Sequence, residues 1–179
     1  MWLAEVQAKA KRRNQILFAA ESPLLADLHR LIAGANRRTL IHWALELAEE
    51  TVLVLEVRYP DDHRPRKAVE AARAWAAGEI KMPLARRAIL ACHAMAKELV
   101  EPADIARCHA VGQASSTVHT EGHALGYPIY ELTALAREQG LEDCREAVEA
   151  RVRAYEQRLA GWREQKPACS REWAEFLKE

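Results

Sequence analysis

Two histidines four residues apart, His119 and His123, frame the segment His119-Thr120-Glu121-Gly122-His123. At that spacing on a helix both imidazoles lie on one face and can hold a single metal ion. The histidines match the two ligands of the zinc-protease HExxH motif, but the acid does not. Glu121 stands one residue too late and is turned away from the face where a general base would act. A third ligand is needed, and His93 and His109 are the available suppliers. His93 shares its helix face with Ile89, Ala96 and Val100, so it is expected to point inward. A packing reading competes: Gly112, Ser115, Gly122 and Gly126 flank the pair at helical spacing and let another helix come close. The imidazoles would then hydrogen-bond across that contact. The expectation is structural histidines, with a divalent metal site or metal-dependent enzyme built on His93, His119 and His123 as the alternative.

A second constellation lies in Tyr59-Pro60-Asp61-Asp62-His63-Arg64-Pro65, which puts two prolines, two acids, a histidine and an arginine into seven positions. Pro60 holds the residue before it extended, and Pro65 fits a first helical turn. A carboxylate from Asp61 or Asp62 can accept from the free N–H groups there, and Tyr59 or Trp75 can seal the corner. Alternatively the corner is a protein-docking surface. Asp61, Asp62, Arg58, Arg64 and Arg66 expose charges of both signs on one turn, and loops carry function more often than core elements do.

Other chemistry is thin. No glycine-rich phosphate loop or nucleophile elbow is present, and Ser115-Ser116-Thr117 has no orienting acid that would make a triad. Five tryptophans are scattered over separate helices, as anchors rather than a stacking platform. Twenty-six basic residues balance twenty-six acidic ones among 179. Such a balance gives neither nucleic acid nor an anionic membrane a reason to bind. The local excess Lys9-Ala10-Lys11-Arg12-Arg13 reads as a solvated helix face or frayed terminus. Cys92, Cys108, Cys144 and Cys169 form no CxxC pair. Ile16-Leu17-Phe18-Ala19-Ala20 is too short for an export core, and no apolar run approaches the ~18 residues that span a bilayer. Free thiols in a reducing cytoplasm are therefore expected, with Cys92 and Cys108 packed as small hydrophobes.

The elements that must position these residues are helical throughout. Ser22-Pro23 opens a short helix that Gly34 stops, and Asn36 caps a helix running to about Arg58. That helix is apolar on two faces, so it is expected at the centre. Helices follow to Ala77, from Pro83 to Leu99, and from Ala103 to Glu138 with a kink or break near Gly126 caused by Pro128. Leu141, Cys144, Val148, Val152, Tyr155, Leu159 and Trp162 stripe the helix from Glu142 to about Gln165, which Pro167 ends. Ser170 can cap a last short helix. The expected fold is all-α: one domain over residues 1–179, a compact bundle of seven or eight helices with short connections. The Leu141–Trp162 stripe could instead pair two copies into a homodimer. Cys92-His93-Ala94 and Cys108-His109-Ala110 match each other but are too short to establish a repeat.

Trp43-Ala44, the Tyr59–Pro65 loop, Ala68, Trp75 and Gly78, followed by His93 and His119-x-x-x-His123-Ala124, resemble the signature of small bacterial immunity proteins of the Imm-five-like kind. The likeness spans about residues 40–130, with the terminal helices expected to pack on that portion. It implies an all-helical fold, a protein partner and protection against a toxin by direct binding. It marks Asp61, Asp62, Arg64, His93, His119 and His123 without assigning them chemistry. No cofactor is implied.

Overall fold

The computed structural model describes residues 1–165 and 172–178. It holds eight α-helices and no strand among those residues. They are α1 (Trp2–Lys11), α2 (Ala26–Ala33), α3 (Arg37–Arg58), α4 (Arg64–Ala76), α5 (Met82–Met95), α6 (Pro102–Ser116), α7 (Gly126–Gln139) and α8 (Arg145–Glu164). Short 3-10 turns cover Pro23–Leu25, Glu121–His123 and Glu175–Leu177. The all-α expectation holds, and one continuous apolar core reaches from Trp2 to Leu177.

Local chemistry sets the boundaries. The Asn36 side chain accepts from the Thr39 N–H at 2.9 Å and opens α3. Pro65, Pro83 and Pro102 stand in first turns, where the missing N–H has no helical partner to lose. Beyond α4, Gly78 adopts φ +76°, a left-handed conformation that glycine takes without strain.

Helix α3 is central. Trp43, Ala44, Leu47, Ala48 and Val52 are fully enclosed, and the Trp43 indole donates to the Tyr155 carbonyl at 3.0 Å. Coverage fails at its far end, where Leu53 and Val57 are 56% and 83% exposed. On α8, Val148, Val152, Tyr155 and Leu159 are buried. The stripe considered for dimerisation thus packs inward within one chain, against α2, α3 and α7.

The helical stretch expected from Ala103 to Glu138 with a kink or break near Gly126 is two helices, broken between Ser116 and Gly126, and Pro128 is not the cause. Near the end of α6 the Ser116 hydroxyl donates to the Gly112 carbonyl at 2.8 Å, and Thr117 to that of Gln113 at 3.3 Å. Such back-bonding competes with the helical ladder. Thr120 then turns extended and its hydroxyl accepts from the Gly122 N–H, so the chain leaves the helical path before Gly126. Pro128 falls in the first turn of α7 and kinks nothing. The expected C-terminal helix shrinks to the turn Glu175–Leu177. Pro167, Cys169 and Ser170 lie outside the described residues. Cys92, Cys108 and Cys144 are free and buried.

Candidate functional site

The Tyr59–Pro65 corner is a β-turn. The Asp62 N–H donates to the Tyr59 carbonyl at 3.0 Å, with Pro60 at the second position, where its fixed φ is pre-set for the turn. Asp62 accepts from the Arg64 N–H at 3.1 Å, which is the capping role expected for a carboxylate here. It also binds the Arg64 guanidinium, Nη2 to Oδ2 at 2.6 Å, and Arg64 grips Glu98 beyond α5 at 2.7 and 2.8 Å. The guanidinium hydrogen bond holds the Asp62 carboxyl below the usual carboxylate range. Hydrogen bonds to Glu98 and then Asp62 push Arg64 up. Asp61 and His63 are exposed, and their side chains bond to no described residue. Of the two residues expected to seal the corner, Tyr59 does so. Trp75 sits at the other end of α4 and packs on Phe176 instead.

What fixes the corner's base is a buried ionic cluster that sequence reading missed. Asp104, in the first turn of α6 and 1% exposed, accepts from Tyr59 Oη at 2.8 Å, Arg58 Nη1 at 3.1 Å and Arg107 Nη1 at 2.8 Å. Glu138 on α7 closes the cluster by bonding both arginines. A carboxylate buried this deeply is tolerable only because three donors replace its water. Burial, then the hydrogen bond to Asp104, pushes the Tyr59 hydroxyl up to about 12. The one visible signal was Asp104 and Arg107 standing i,i+3 in an alanine-rich helix. Their partners lie 31 to 46 residues away in sequence, beyond the reach of any spacing rule.

The histidines separate from the helical picture. His119 lies in the turn after α6 and His123 in a 3-10 turn, so they do not share a helix face as their spacing predicts. The exposed His119 ring stacks on Trp75, with centroids 6.0 Å apart. The His123 Nδ1 pairs with Gln113 Oε1 at 2.8 Å, so this nitrogen carries the hydrogen and donates. His93 does point inward, and it meets His109: their Nδ1 atoms are 2.8 Å apart, one donating and the other accepting. Burial, followed by His109 and His123 nearby, pushes His93 down to about 4. Burial likewise lowers His109, and burial with neighbouring His119 lowers His123. Gly112 and Gly126 are small for the reason expected: the first admits the His93 ring and the second the Gln113 amide. Val100, placed on the His93 face by spacing, lies beyond the end of α5 and is 91% exposed.

Among the described residues no three His, Cys, Asp or Glu side chains converge as metal ligands. The His93–His109 hydrogen bond fastens α5 to α6, and the His123–Gln113 bond fastens the Glu121–His123 turn to α6. A cavity of about 340 Å³ on α4 is lined by Glu70, Arg73, Ala74, Ala77, Glu79 and Glu172, none of them among the predicted site residues. No described helix is long and apolar enough to cross a membrane.

Comparison with known proteins fits this picture. No curated protein and no solved structure matches the chain. A family model described as "Imm-5 like putative immunity protein" matches residues 30–158, which take in α3 to α7, most of α8, the corner and the histidine row. The match covers well over half of the chain, so the protein belongs to the Imm-5-like immunity family.

Proposed function

We propose that this protein neutralises a protein toxin by binding it directly, and that the Tyr59–Pro65 corner forms part of the surface used. Family membership supports an immunity role. The observation that favours direct binding is how the corner is held. Two separate ion clusters, one on Asp104 and one on Arg64, clamp the turn from both sides. Asp61 and His63 are left outward with no side-chain hydrogen bond or ion pair to a described residue, His63 acting only at a distance on the Glu56 and Asp62 carboxylates. A surface fixed before contact loses little conformational freedom on binding, so more of the contact energy appears as affinity. Occlusion of a toxin requires such a surface and no bond-breaking residues.

The test is growth rescue. Cells expressing the cognate toxin should survive when this protein is co-expressed. The double substitution Asp61→Lys, His63→Glu should lose rescue while the protein stays folded by circular dichroism. Retained rescue in that variant would remove the corner from the interface. Wild-type rescue without a complex by size exclusion would contradict direct binding.

A further inference from the structure

We infer that the outward face of α5 is a second docking surface, fitted to an acidic protein segment that carries apolar side chains. No acidic residue occurs between Glu79 and Glu98, while Lys81, Arg86, Arg87 and Lys97 all fall inside that stretch. In a chain whose charges balance overall, such a one-signed stretch stands out. Seven arginines elsewhere, Arg58, Arg64, Arg66, Arg73, Arg107, Arg151 and Arg158, each bind a carboxylate. Arg86 and Arg87 on α5, Lys81 at its cap and Lys97 beyond its end are exposed and pair with no carboxylate among the described residues.

The helix carries this charge at an electrostatic disadvantage. Its cap is Lys81, which makes no side-chain cap bond, and its first turn has no acid. Cations near a helix N-terminus oppose the dipole, so the local potential is doubly positive. Leu90 stands on the same outward face, three and four residues after Arg87 and Arg86, and is 53% exposed. Leu84, six residues earlier and about a third of the way round the helix, is 53% exposed as well. An exposed leucine flanked by two unpaired arginines is complementary to an apolar side chain flanked by carboxylates. At its C-terminal end this face reaches Glu98, which Arg64 ties to the corner. One partner can therefore cover both surfaces.

A protein suits the face better than the alternatives. Four cations are few for a phosphate backbone, and the one ring of α5, His93, points inward and offers no base a surface to stack on. A lipid surface needs a wide apolar face, and the wide one of α5 (Ala85, Ile89, Cys92 and Met95) is in the core. Identifying the partner as a toxin rests on the proposed function; its acidic, apolar chemistry rests on α5 alone.

The experiment uses the full chain and a labelled synthetic helix of repeated Glu/Leu heptads as the acidic probe, with a DNA duplex and phosphatidylcholine/phosphatidylglycerol vesicles as rivals. The acidic peptide should bind by fluorescence anisotropy, and its amide shift perturbations should map to residues 81–97. Arg86→Glu with Arg87→Glu, and separately Leu90→Asp, should each weaken binding about tenfold or more. No peptide binding, binding indifferent to these substitutions, or tighter binding of DNA or vesicles overturns the inference. Growth rescue separates it from the parent reading. Rescue kept by the α5 variants but lost by the corner variant refutes the α5 surface alone. Absence of rescue by the wild type refutes the toxin role and leaves the peptide measurement to decide the surface.

Discussion

Gly112 lies directly against the His93 ring: a methyl group on its α-carbon would stand 2.3 Å from Nε2. The glycine in the middle of α6 is thus there to admit an imidazole from α5. Gly112→Ala should therefore destabilise the fold by about 1–3 kcal/mol through overpacking, despite the gain in helix propensity. With His93→Ala already in place, the clash is gone. The same substitution should then be neutral or stabilising by up to about 1 kcal/mol. Urea unfolding of the four proteins in this cycle measures both effects.

The histidine row makes stability fall in mild acid. His93, His109 and His123 are all held below their ordinary range, His93 at about 4. The unfolded chain, with ordinary histidines, binds more protons than the native one in this window, so stability rises with pH. The contribution is complete above pH ~7 and is lost as pH falls from about 6.5 toward 4. For His93 it amounts to on the order of 2 kcal/mol after allowance for partial solvent access. Carboxylates held low by arginines, such as Asp62, add losses only at lower pH. Histidine C2–H titration by NMR, together with urea midpoints at pH 7.5 and 5, checks this. Ordinary titration of every histidine would contradict it.

Asp104 and Asp62 both bind arginine, yet they should differ sharply. Asp104→Ala takes away the buried acceptor shared by Arg58, Arg107 and the Tyr59 hydroxyl, leaving Glu138 alone to hold both arginines, at a cost of about 3–5 kcal/mol. Asp62 is a partly exposed cap, with 24% of its side chain accessible, and Asp62→Ala should cost only about 0.5–2 kcal/mol. Equal losses would mean that the corner is held from the Arg64 side as strongly as from α6.

Trp43→Ala removes a fully enclosed indole and its hydrogen bond to the Tyr155 carbonyl. A loss of about 3–5 kcal/mol is expected in denaturant unfolding. A loss below about 1 kcal/mol would contradict a central position for α3.

Helix starts were legible because each rests on local chemistry, as with Asn36 accepting from Thr39 or Pro65, Pro83 and Pro102 in first turns. The break between α6 and α7 was expected near Gly126, but its start at Ser116 and its cause were not legible. It depends on Ser116 and Thr117 bonding back to the helix and on Thr120 turning extended, choices that apolar periodicity does not encode. The three site histidines were visible as residues, but their geometry was misplaced with that break. His109 was seen only as a spare ligand, although the repeated Cys-His-Ala was a trace of α5 meeting α6. There the Cys92 thiol donates to the Cys108 carbonyl at 3.4 Å beside the imidazole pair. The Asp104 cluster was illegible because its members meet only after α3, α6 and α7 have packed.

Direct, stoichiometric capture of a toxin by a surface already in place is best examined by isothermal titration of the purified protein with its purified cognate toxin, comparing wild type with Asp61→Lys, His63→Glu. A saturable one-to-one complex is expected, weakened at least about tenfold in the variant. Toxin inactivation with no measurable complex, or equal affinity of the two proteins, would contradict it.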